Sequence, residues 1–287
     1  MTGRLFIDDI DVYNAYGAFV DGDGGWNDLL ALPPLKSVDS NDWQEEDGVE
    51  MDLSAPVLDT RSISLKLILR GDNREDNFYD LIDALSDGAL HTFRAERIGR
   101  SFHLRLVSHS SYELAERFDT LTLKLADDYP LDGYAYVAPT GGGVASRDTF
   151  KVDSRPLTDY GVNVLEGTLA EVMRAPAVKT ALLRNIPTAA GVLYDNDGAV
   201  TYKSKDVKVK CLLRAASLSE MWQNYYALAY DLSRAGEHSL YVKALGTSFA
   251  FAYKSCAVEE FDPTDRVWLK FTLTLTFIGG RKGTATT

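Results

Sequence analysis

Apolar and polar residues alternate from Val207 to Leu213, with Val207, Val209, Cys211 and Leu213 on one side and Lys208 and Lys210 on the other. That period of two predicts a strand with one buried face. The spacing then changes. Trp222, Tyr225, Tyr226, Ala229 and Leu232 fall on one stripe of a helix. Ser217 and Glu220 have capping-box spacing at its start, and Gly236 is read as its end. Further strands are predicted at His238–Val242, at Ser248–Ser255 with Phe249, Phe251 and Tyr253 on one face, and at Leu273–Phe277, where Thr272, Thr274 and Thr276 form the polar face.

The same succession occurs earlier. Ile63, Leu65, Leu67 and Leu69 alternate with polar residues; Phe78, Leu81, Ile82 and Leu85 form the stripe of a helix at about Arg74–Ser86, with Gly88 closing it. Strands are predicted at His91–Phe93, Ser101–Ser108 and Thr120–Leu125. The registers agree with few gaps: Ile63 and Val207 are 144 positions apart, His91 and His238 are 147 apart, as are Ser101 and Ser248, and Thr120 and Thr272 are 152 apart. Four blocks matching in one order point to a tandem duplication, with a period too long for a solenoid. The predicted fold is mostly β with one helix per unit (α+β): two similar domains, each an antiparallel sandwich or barrel-like sheet with a helix packed on it.

The predicted division is a first domain at 1–128 with an extended loop over 20–60, a linker at 129–158, a second domain at 159–280 and a loose tail at 281–287. Residues 1–20 read as a strand pair or extended arm. Val12–Gly17 aligns with Val162–Gly167 as a strand and glycine turn, and Ala31–Lys36 aligns with Arg174–Lys179. Asp72 is placed to cap the first helix. Asn41–Glu50 is an acidic loop containing Trp43; a loop this long is usually functional or ordered by a partner. Tyr194–Gly198 reads as a hairpin turn.

With 287 residues the chain suits two domains, each large enough for its own core. The net charge of −12 argues against a basic surface for nucleic acid, yet an acidic wall lets DNA pass without sticking. No signal-peptide core or membrane-length apolar run occurs, and Cys211 and Cys256 are read as buried free thiols, which together predict folding in a cytoplasm.

No nucleophile elbow, zinc-protease, phosphate-loop or dinucleotide signature is present, so no catalytic residue, metal or cofactor is assigned. Asp21–Gly25 resembles the start of a calcium loop but lacks its later oxygen ligands, and reads as a turn. His103 and His109 have no cysteine partners for zinc. The matched positions of His91 and His238 predict a local hydrogen bond at the start of a strand. Trp222, Tyr225, Tyr226 and Tyr230 suit a core or subunit interface better than a carbohydrate platform. The interface or structural candidates are Trp26, Trp43, Trp222, Tyr225, Tyr226, Thr272, Thr274 and Thr276.

The arrangement over Arg61–Leu125 and Lys205–Phe277, with one helix on a sheet behind a long extended loop, resembles the tail-tube fold of tailed bacteriophages. The opening Leu5–Val12 with its early Gly17 is similar to the start of distal tail proteins. This resemblance implies a structural virion protein, assembled in the bacterial host cytoplasm. It would form a homo-oligomeric ring of three or six chains that docks other tail or baseplate proteins and passes DNA without binding it. A carbohydrate- or surface-binding module is the alternative, and an enzyme a further one.

Overall fold

The computed structural model describes residues 3–22, 25–110, 113–180, 183–194, 200–280 and 284–285. The first half forms β1 (Leu5–Ile7), β2 (Ala18–Val20), β3 (Arg61–Leu69), β4 (His91–Ala95), β5 (Arg100–His109) and β6 (Asp119–Asp127). The second forms β7 (Phe150–Val152), β8 (Val162–Val164), β9 (Lys205–Ala215), β10 (His238–Val242), β11 (Thr247–Asp262) and β12 (Val267–Phe277). The strands lie in the order β1-β4-β5-β6-β3-β2 in one sheet and β7-β10-β11-β12-β9-β8 in the other. Each order is the other shifted by six. Ile10–Asp11 folds back outside β1, and Arg155–Pro156 does the same outside β7. Every pairing in both sheets is antiparallel, as the clean alternation requires.

Alternation sets the buried faces. Ile63, Leu65, Leu67 and Leu69 on β3, and Val207, Val209, Cys211 and Leu213 on β9, all lie in the core. The longer helices, α3 (Arg74–Leu85) and α5 (Leu218–Leu232), follow β3 and β9. On α5, Ser217 Oγ accepts the Glu220 amide at 3.2 Å and Glu220 Oε2 accepts the Ala216 amide at 2.7 Å, so the predicted cap forms. The first helix spans Arg74–Leu85, close to the expected Arg74–Ser86, whereas the residues read as its cap and as closing both helices do not serve so. The helices stop at Leu85 and Leu232, three and four residues before Gly88 and Gly236, and α3 begins at an Asn73 cap that makes no side-chain bond.

Among the described residues, the short α-helices α1 (Val12–Tyr16), α2 (Asn27–Leu30) and α4 (Thr168–Met173) complete the frame. Val12–Tyr16 is therefore helical rather than extended, and its alignment with Val162 fails. Gly17 matches Gly161 instead, with φ of 64° and 72°. Gly17 O accepts the Arg70 amide and Gly161 O the Arg214 amide, both at 2.9 Å. A Cβ on Gly17 would meet Arg70 O at 2.3 Å, and one on Gly161 would meet Arg214 O at 2.6 Å. The tight approach explains why both positions are glycine.

The expected linker is partly sheet, because Phe150–Val152 pairs with β10. The expected separate cores are also revised: one continuous hydrophobic cluster runs through both halves. The loop after α2 is a hairpin arm in which Ser40–Asn41 pairs with Glu50–Met51, rooted at a Leu35–Leu58 bridge. A second arm pairs Leu183–Asn185 with Val192–Tyr194 and is rooted at a Val178–Tyr202 bridge. The turn expected at Asp195–Gly198, part of the calcium-like loop (Asp23 and Gly24) and most of the tail lie outside the described residues. No helix among the described residues is long and apolar enough to cross a membrane.

Candidate assembly interface

The two halves meet through unlike faces. From the second half, α5 presents Trp222, whose indole Nε1 donates to Ile98 O at 2.7 Å. Its ring meets Phe102 edge-on, centroids 6.2 Å apart. The Arg100 guanidinium lies 4.2 Å from the Tyr226 ring centroid and 5.1 Å from that of Trp222, a cation–π arrangement that keeps the charge at an otherwise apolar seam. Tyr225 is buried beneath, with its hydroxyl 3.2 Å from Cys256 Sγ and its ring on Phe271.

From the first half, α2 and the chain beyond it lie on β11. The Leu35 amide donates to Lys254 O at 3.0 Å, Tyr253 Oη donates to Pro33 O at 3.0 Å, and Asn27 Nδ2 donates to Glu259 O at 3.2 Å. Lys254 is reachable because β11 bulges there: the register with β12 jumps from Tyr253 to Ser255. A bulge leaves one residue out of the ladder and frees its carbonyl for another partner.

The first arm then crosses onto the second half. The Gly48 amide donates to Tyr202 O at 2.7 Å and the Val49 amide to Ile278 O at 2.9 Å. The Tyr202 amide donates to Asp47 Oδ1 at 2.8 Å. The buried Lys179 ammonium donates to Trp43 O and pairs with Asp42, each at 2.6 Å. Leu53, Ala252 and Ile278 form a small apolar cluster under the arm, joined by Val38, Val49 and Met51.

Equivalent polar anchors recur in each half. Arg61 Nη1 donates to Leu29 O and Ala31 O at the end of α2, and Lys205 Nζ donates to Val172 O and Arg174 O at the end of α4. Each cation caps the carbonyl end of a short helix. Burial lowers the Lys205 ammonium, aided by nearby Arg174.

Of the eight candidates, Trp222, Tyr225 and Tyr226 come together at the seam. Trp26 is buried just before α2. Trp43 is exposed, with its indole on Glu50 and its carbonyl in the arm contact. Thr272, Thr274 and Thr276 are half-buried; Thr272 donates to Glu259 and Thr276 to Asp206, on the side chains of residues at or beside the β11 contact rather than on the first half itself. Sequence reasoning missed Ile98, Arg100, Lys179 and the Lys254 bulge. The alignment of Lys36 with Lys179 was the only hint of these.

Burial of the Trp222, Tyr225 and Tyr226 rings removes them as a carbohydrate platform; of that group Tyr230 alone is exposed, beside Tyr136. His103 reaches Thr92 Oγ1 and His109 packs on Phe78. Tyr160 donates to Asp231 at 2.5 Å; burial raises its hydroxyl pKa and the carboxylate raises it further, so it holds its proton.

No family model and no curated protein matches the chain. Among solved structures, the chain is similar to the SPP1 Dit (gp 19.1) protein, described as a paradigm of the hub adsorption apparatus in phages infecting Gram-positive bacteria. The TM-score is 0.36 with 11% identity, over 96% of this chain and 98% of that one. A likeness that slight carries no functional argument.

Proposed function

We propose that the chain is a structural protein of a bacteriophage tail, made by tandem duplication of one β unit and closing into a ring at the tube–baseplate junction. The observation that carries this reading is the head-to-tail meeting of two sheets of identical strand order within one chain. Unlike faces that meet in this way generate rings when the rotation closes. The duplicated units would be residues 1–128 and 159–280, the second extended backward to include β7. The half-buried threonine faces of β6 and β12 supply neutral, polar surfaces suited to a pore wall, and the acidic balance of the chain favours passage of DNA over adhesion. Ring closure would also cover sheet edges that a strand-rich monomer leaves open.

The test is mass and shape in solution. Light scattering at micromolar concentration is expected to give three or six times 31.7 kDa, and negative-stain images a ring with a central hole. A monodisperse monomer at every concentration would overturn the reading.

A further inference from the structure

The seam inside the chain has one half of its counterpart at each outer face. α2 and α4 occupy the same place, because Arg61 and Lys205 hold their final carbonyls in the same way and Leu29 and Val172 are both buried. In that frame Leu30 corresponds to Met173 and Trp26 to Leu169. Leu30 and Trp26 are 0% and 2% exposed, whereas Met173 and Leu169 are 64% and 37% exposed. Burial near α2 thus has no equal near α4, where β11 is not opposite.

The complementary face is equally bare. β5 and β11 are aligned by their histidine neighbours, since His91 pairs with Leu104 and His238 with Phe251. Counting on from there, Val107 stands where Lys254 stands. Both are bulge residues: the β5–β6 register jumps from Leu106 to Ser108 as the β11–β12 register jumps from Tyr253 to Ser255. Lys254 O takes the Leu35 amide, and Leu35 corresponds to Val178 through the two arm-root bridges. Val107 and Val178 are both exposed apolar residues.

We infer that α4 and Val178 of one copy seat on the β5 bulge at Val107 of a second copy, repeating between chains the seam that α2 and Leu35 make with β11 within one chain. The occupant is another copy of this chain because, among the described residues, an α2-type face sits on a β11-type bulge, and β5 carries the same bulge. The inference rests on the ring reading and specifies which faces close it. The second arm, which exposes Leu183 and Leu193, would lie across the neighbouring chain as the first arm lies across Tyr202 and Ile278.

The full chain tests this. Met173→Glu is expected to lower the mass in light scattering to 31.7 kDa with an unchanged circular dichroism spectrum, while Met173→Leu keeps the assembly. A Val107→Cys, Val178→Cys double variant is expected to give an oxidised ladder on a non-reducing gel, its top band counting the chains. Mixing the two single variants is expected to give dimers and nothing larger. An assembly that survives Met173→Glu and forms no ladder closes through other faces, which overturns this inference and leaves the ring reading standing. A wild-type monomer overturns both.

Discussion

Asp153 holds the ring of His238 from one side, Oδ2 lying 3.0 Å from Nδ1, while its Oδ1 accepts the Ser239 amide at 2.9 Å. Asp8 and His91 repeat the arrangement at 2.7 Å, with the Thr92 amide on the second oxygen at 2.8 Å. Both aspartates take left-handed φ, 55° and 48°. The hydrogen bond expected at the start of a strand is thus a clamp from the neighbouring hairpin.

Each clamp is pH-sensitive. Burial disfavours charge on His238 and His91, but the bonds to Asp153, and to Asp8 and Asp87, outweigh it and raise both histidines. Burial pushes Asp153 up, yet its bonds to His238 and Ser239 bring it below the usual carboxylate range; Asp8 is lowered chiefly by His91. The histidine contribution is complete below about pH 6.5 and is lost as pH rises through the raised value; the aspartate contribution is complete above about pH 4 and is lost in stronger acid. Calorimetry should find the highest melting temperature at about pH 5–6, with a decline of a few degrees by about pH 9. Asp8→Asn with Asp153→Asn should flatten that alkaline decline.

Trp222→Ala removes a buried ring and leaves Ile98 O without its donor. Urea unfolding is expected to show a loss of about 3–5 kcal/mol. Trp222→Phe should recover most of the packing and still lack the bond, a residual of about 1 kcal/mol.

Arg61 is buried, tied to two carbonyls and paired with Asp127 at 2.8 Å. Arg61→Met should cost about 3–5 kcal/mol, since it leaves a partly buried carboxylate unpaired. Lys205→Met, at the matching place but without a carboxylate partner, should cost less in the same urea titration.

Lys179 fixes the first arm through Trp43 O and Asp42. In Lys179→Met the arm should open more often, and cleavage after Glu45 or Glu46 by a glutamate-specific protease should quicken about tenfold for each 1.4 kcal/mol lost. An unchanged cleavage rate would mean the remaining bonds of the arm, at Gln44, Asp47, Gly48 and Val49, hold it without Lys179.

How much of this was legible follows from the range of each interaction. Period-two runs such as Ile63–Leu69 mark strands because burial on a sheet face is decided residue by residue. Ser217 and Glu220 mark a helix start because the cap is local. Gly88 and Gly236 mark the turns beyond the helices and not their last residues: both adopt positive φ, but the helices have already stopped at Leu85 and Leu232. Val12–Tyr16 reads as extended because five residues are too few to display a helical stripe. The seam was illegible for a different reason. Ile98 and Trp222, or Leu35 and Lys254, are brought together by the folded sheets, and no spacing in the chain encodes their meeting. The bulge at Lys254 leaves only a slight mark: the inward positions shift by one, from Phe249, Phe251 and Tyr253 to Cys256 and Val258, and two residues are too few to establish the new register.

The first arm carries a further consequence for biosynthesis. Val49 is translated roughly 230 residues before Ile278, the residue that receives its amide, which at ribosomal speeds is an interval of about 10–45 s. Until residues 250–278 are made, Val38, Val49, Met51 and Leu53 lack the partners they pack on, Ala250, Ala252 and Ile278. The amino-terminal half therefore leaves the ribosome with an uncovered apolar ribbon, and it acquires its finished form only when the last strand of the carboxyl-terminal half is in place.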